Sequence, residues 1–102
     1  MEKLVKELMS LGLTSQEAHI YVFFAKNSSD KKKEVMSQLE IEEQELMDNL
    51  QGLTKKGFVK TNLKNSNLFS VVPLEIVMER IIREKLGEAQ EIREAIRDNK
   101  LP

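Results

Sequence analysis

Apolar residues recur along this chain first at helical and then at strand spacing. From Glu2 to Leu11, the residues Leu4, Val5, Leu8, Met9 and Leu11 predict a short amphipathic helix ending near Gly12. Thr14-Ser15-Gln16-Glu17 has the form of a capping box, in which the Thr14 hydroxyl accepts from the Glu17 amide and the Glu17 carboxylate reaches back. The helix it opens runs from Ser15 to about Lys26. Ala18, Tyr21, Val22 and Ala25 lie on one side of it, and Phe23 and Phe24 widen that face. Asn27 to Asp30 reads as a loop of good N-cap residues. A third helix, Lys31 to Leu39, turns Val35, Met36 and Leu39 inward, and Glu40 and Ile41 form a turn. The fourth helix, Glu42 to Lys56, has Leu46, Met47, Leu50 and Leu53 as its buried stripe. Gly57 is placed to end it in the left-handed conformation. Gly52 lies inside it at a cost of about 1 kcal/mol relative to alanine, for which close helix packing is one reason.

The period then changes. From Phe58 to Leu63, Val59, Thr61 and Leu63 alternate with Lys60, Asn62 and Lys64, which predicts a strand. Lys64 to Asn67 is a polar turn and Leu68 to Val72 a return strand that Pro73 ends. Leu74 to about Asn99 is a long helix with a stripe of Val77 or Met78, Ile81, Ile82, Leu86, Ala89, Ile92 and Ile96. From Ile82 the steps in that stripe are close to a heptad. At 1.5 Å per residue the helix spans about 39 Å, more than a small domain covers. Its apolar side is expected to meet a second chain, with Ile81, Ile82, Leu86, Ala89, Ile92 and Ile96 as a homodimer interface. The order of elements predicts a mainly α fold with a small β wing. It is a winged helix-turn-helix (residues 1–73) with an extra N-terminal helix and a C-terminal dimerisation helix (residues 74–102).

Composition narrows the function classes. The chain has 102 residues, is 40% hydrophobic and 32% charged, and contains no cysteine. That suits one globular domain and excludes disulfides and thiolate metal sites. No apolar run reaches membrane-spanning length and no signal-peptide core is present, so the expected location is the cytoplasm, with no membrane partner. His19 is the sole histidine, so no metal is expected. No cofactor is implied either. The sequence has no Gly-rich phosphate loop, no nucleophile with an evident base and no carboxylate pair in an evident cleft, which argues against an enzyme.

Charge is unevenly placed. All four arginines (Arg80, Arg83, Arg93 and Arg97) follow Pro73, and every earlier cation is a lysine. The net charge is −1, whereas nucleic-acid binders usually carry a basic face.

Leu11-Gly12-Leu13-Thr14 with Glu17-Ala18 and Tyr21 resembles the "L-G-L-T-x-x-E-A-x-x-Y" opening of TrmB-like winged-helix transcriptional regulators. Leu50, Leu53 and Lys56-Gly57-Phe58-Val59 resemble that family's "L-x-x-L-x-x-K-G-L-V", a motif many winged-helix groups share. Val72-Pro73 with Glu75 resembles its wing exit. The likeness covers about residues 8–83. It implies an archaeal or bacterial regulator that dimerises and binds double-stranded DNA through the fourth helix and the wing. Long members carry a C-terminal sugar-binding domain, and the sequence stops short of one, so sugar sensing is not expected to carry over.

The chain departs from that pattern where the recognition helix begins. Such helices usually start with polar or basic residues, but here Glu42, Glu43, Gln44 and Glu45 stand there, and Glu40 and Asp48 add to the acids. Carboxylates repel phosphates, although acids also favour a helix N-terminus. The expected DNA contacts are therefore amides and lysines. Gln44, Asn49 and Gln51 would contact bases from the fourth helix, and Lys31, Lys32, Lys33, Lys60 and Lys64 would grip phosphate. Solvated faces and edge protection of the wing are the alternative readings of those lysines. The competing function is a winged-helix protein-interaction module whose acidic fourth helix no longer binds DNA.

Overall fold

The computed structural model describes residues 2–27, 30–62 and 68–102. In chain order these form α1 (Glu2–Ser10), α2 (Ser15–Lys26), α3 (Lys32–Leu39), α4 (Glu43–Lys55), β1 (Val59–Thr61), β2 (Phe69–Val71) and α5 (Leu74–Asp98). This is a winged helix-turn-helix with an added first helix and a long last one, as the sequence predicts.

Helix α2 lies at the centre. It touches α1, α4 and β2, so its buried residues (Ala18, Ile20, Tyr21, Val22 and Phe24) spread around the helix. The single apolar side expected for it is therefore too narrow, and Ala25 is exposed. Tyr21 packs edge-on against Phe58 with centroids 5.4 Å apart, and Phe24 packs likewise against Phe69 at 5.0 Å. The Tyr21 hydroxyl donates to the Val72 carbonyl at 2.7 Å, which ties the end of the wing to the core. Burial raises the Tyr21 pKa, since phenolate would lose its hydration.

Several helices close in one way. At Gly12 (φ +107°), Glu40 (φ 55°), Gly57 (φ +84°) and Lys100 (φ 53°) the backbone turns left-handed. The next amide then reaches back to the last helical turn: Leu13 to Leu8, Ile41 to Met36, Phe58 to Leu53 and Leu101 to Ile96. This is the Schellman closure, in which orphan carbonyls are satisfied and the residue after the turn packs inward. Leu13, Ile41 and Phe58 are accordingly buried. At the start of α3 the cap position falls on Lys31, without a side-chain cap bond, rather than on the loop residues before it.

The wing is shorter than expected. β1 and β2 pair antiparallel with Val59 opposite Val71, Lys60 opposite Ser70 and Thr61 opposite Phe69. Amide bonds from Val72 to Phe58 (2.9 Å) and from Asn62 to Leu68 (2.9 Å) extend the ladder at both ends. Val59 is buried, but Thr61 is exposed although it lies opposite the buried Phe69. The predicted turn at Lys64 to Asn67, with Leu63, lies outside the described residues.

Helix α5 docks only by its first two turns. Val77 is fully buried, Leu74 and Ile81 pack partly against the core, and from Ile82 onward every residue is exposed. The radius of gyration is 17.1 Å and the extents are 57 × 34 × 22 Å. A compact domain of this length has a radius near 13 Å. The excess comes from the unsupported part of α5.

Candidate nucleic-acid interface

The outer side of α4 presents one row at helical spacing: Gln44, Asp48, Gln51 and Lys55, all exposed. The inner side buries Leu46, Leu50 and Leu53. Glu42 occupies the N-cap position without a side-chain cap bond, and Glu43 and Glu45 sit in the first turn, where the helix dipole favours acids. The row therefore runs from an acidic end to a basic one. The Gln44 amide donates to Asp48 at 2.9 Å, which partly masks that carboxylate.

The predicted contact residues fall into two groups. Gln44 and Gln51 face outward from α4. Asn49 turns toward α2: its amide donates to Gln16 Oε1 at 2.6 Å and to the Glu45 carbonyl at 2.8 Å, so both donor hydrogens serve the fold. Lys31 is exposed, with its ammonium 3.9 Å from Glu34. Lys33 is exposed, while Lys32 is half-buried with its ammonium 5.5 Å above the centre of the Phe69 ring. That cation–π contact joins the start of α3 to the wing. Lys60 is exposed on β1 opposite Ser70. Lys64 lies outside the described residues. Lys32, at the start of α3, thus lies beside the wing, and Asn49 is tied to α2.

Three further features lie near this row. Lys55 completes it at the C-terminal end of α4. Lys56, its neighbour, points inward and donates to Glu17 Oε1 at 2.6 Å. The same carboxylate oxygen accepts the Thr14 amide at 2.9 Å, which closes the capping box. Arg80 of α5 reaches back over the end of α4 and donates to the Gly57 carbonyl at 3.0 Å. It shares a shallow cleft with Lys60, Ser70 and Ile76. Arg80 is thus a cation at the C-terminal end of the α4 dipole and the one arginine beside the wing among the described residues.

Nothing else among the described residues suggests chemistry. The Nδ1 of His19 lies 2.8 Å from the Ser15 carbonyl within α2 and its Nε2 4.0 Å from Glu2 of α1. No group of His, Asp or Glu side chains there is arranged to hold a metal ion. Among the described residues no helix is long and apolar enough to cross a membrane.

Comparison with known proteins gives the same reading. The family model described as "Sugar-specific transcriptional regulator TrmB" matches residues 8–75. Among curated proteins, the "HTH-type sugar sensing transcriptional regulator TrmBL1" of Pyrococcus furiosus is 27% identical over 97 residues. That alignment covers 95% of this chain and 28% of the relative, so the chain spans little more than a quarter of that protein's length. No solved structure matches the chain. With the family model covering most of the winged domain, the chain belongs to the TrmB family of transcriptional regulators.

Proposed function

We propose that this chain is a cytoplasmic homodimeric regulator that binds double-stranded DNA mainly through its phosphates. What supports this reading is the exposure of Lys31 and Lys33 at the start of α3 and of Lys60 on the wing, with Lys32 between them 5.5 Å from the ring of the wing's Phe69. Lysines so placed can position a duplex, and Gln44 and Gln51 then face its bases. Both Asn49 amide hydrogens are engaged within the fold, so this reading assigns the base contacts to Gln44 and Gln51. Family membership supports DNA as the partner. Sugar sensing stays with the relative that carries it in its name.

The acidic start of α4 supports a second reading, a protein-interaction module. Glu42, Glu43 and Glu45 are all exposed. Anisotropy titration of labelled mixed-sequence DNA separates the two. A DNA-binding dimer that neutralises about six phosphates shows log affinity falling with log salt at a slope near −5. Replacing Lys33 and Lys60 with alanine should weaken binding at least tenfold and flatten that slope. Replacing the three glutamates with glutamine should tighten binding or relax its specificity. Absence of binding at low salt, for the native protein and the glutamine variant alike, would sink the DNA reading.

A further inference from the structure

Two pairs of side chains from different elements converge where the wing meets α5. Lys60 and Ser70 stand directly opposite one another on β1 and β2, so both lie on the face of the hairpin away from Val59 and Val71. Ile76 and Arg80 are four residues apart on α5 and share one side of that helix. All four line one open cleft of about 310 Å³, and Pro73 joins the two elements there. The polar side chains of the cleft are two cations and a hydroxyl. Among the described residues no carboxylate lines it, and neither Lys60 nor Arg80 forms an ion pair.

Arg80 is held in place there without being used up. Its Nη2 donates to the Gly57 carbonyl at 3.0 Å and lies 3.5 Å from that of Lys56. A Cβ on Gly57 would overlap the guanidinium, so the glycine lets it lie close against the backbone. Among the described residues Nε and Nη1 have no such acceptor, and they remain as donors for a ligand. Arg80 is half-buried, while Lys60 and Ser70 are exposed on the opposite wall. We propose that this cleft binds a phosphate-class oxyanion. The guanidinium offers a planar fork, the lysine a point charge and the serine a hydroxyl, from two walls of one cleft. A tetrahedral group with three acceptor oxygens can meet all three at once, whereas a carboxylate has two oxygens in one plane. A phosphorylated small molecule and the DNA backbone share this chemistry.

The chain has only four arginines, which makes the test direct. With 15N-labelled arginine, the Nε–Hε signals of Arg80, Arg83, Arg93 and Arg97 can be followed in mildly acidic buffer, and the signal missing from Arg80→Lys is that of Arg80. Inorganic phosphate, titrated at constant ionic strength against chloride, should move the Arg80 signal saturably and leave those of Arg93 and Arg97 in place. Acetate should not. Lys60→Ala should weaken phosphate binding about tenfold, with circular dichroism showing the fold intact. A parallel titration with a short DNA duplex separates the two sources. An Arg80 signal that answers phosphate and ignores the duplex assigns the site to a free phosphorylated molecule. One that answers the duplex alone assigns it to the DNA backbone. No response to either, equal drift of all four arginines, a shift that acetate reproduces, or a phosphate affinity untouched by Lys60→Ala would each overturn the site. The phosphate titration involves no DNA. A protein that fails to bind the duplex yet answers phosphate would therefore count against the proposed function alone.

Discussion

The carboxylate of Glu17 shows how much one side chain can organise. It is 5% exposed and accepts the Thr14 amide and the Lys56 ammonium. A Cβ on Gly52 would overlap its Oε2. The capping half of this arrangement is legible in sequence, because Thr14 and Glu17 are three residues apart. The other half is not, because Gly52 and Lys56 lie on another helix and nothing local marks them as partners. The glycine inside α4 is explained here: it vacates the space the carboxylate occupies. In most helices Gly→Ala gains about 1 kcal/mol. Here Gly52→Ala should instead lower stability by about 1 kcal/mol, since displacing the carboxylate forfeits a cap and a half-buried ion pair each worth about 1 kcal/mol. In a Glu17→Ala background the same change should regain about 1 kcal/mol. Urea unfolding of the four proteins checks this, and additive effects would refute the contact as the cause.

At the scale of elements, the helices were legible nearly to the residue and the wing was not. Helix limits follow from periodicity and from Gly12 and Gly57, which take the left-handed closing position without Cβ strain. Glu40 takes the same position between α3 and α4 at φ 55°, where a Cβ is unfavourable. Sequence marks only a turn there, since glutamate gives no signal for positive φ. Glu40→Gly should therefore raise stability by about 0.5–1 kcal/mol, an increase of a few degrees in Tm by calorimetry, with secondary structure unchanged. The wing was harder to read because alternation fixes a face and not its burial: Thr61 shares a face with Val59 and lies opposite the buried Phe69, yet is exposed. In the candidate interface, the lysines are visible in sequence by their type, whereas the hydrogen bond from Asn49 to Gln16, 33 residues away, has no local sequence signal.

At the scale of the molecule, the chain is a small packed head with a projecting helix. The apolar stripe and the length of α5 were legible in sequence. The point where it leaves the head was not, because Ile81 and Ile82 are adjacent and equally apolar, yet only Ile81 packs on the core. The homodimer proposed above would cover this exposed stripe and so link stability to mass action. The Tm should rise by several degrees when protein concentration is increased a hundredfold, and Leu86→Lys should abolish that rise without lowering the Tm of the dilute protein. A concentration-independent Tm would refute the link. The bare stretch of α5 also has a metrical consequence. Val77, the anchor of the head, lies about 18 Å along the helix from Ala89, in the middle of the exposed apolar stripe. Helix α5 acts as a ruler, in which each residue added between Val77 and Ala89 moves the stripe about 1.5 Å farther from the head and turns it by about 100°.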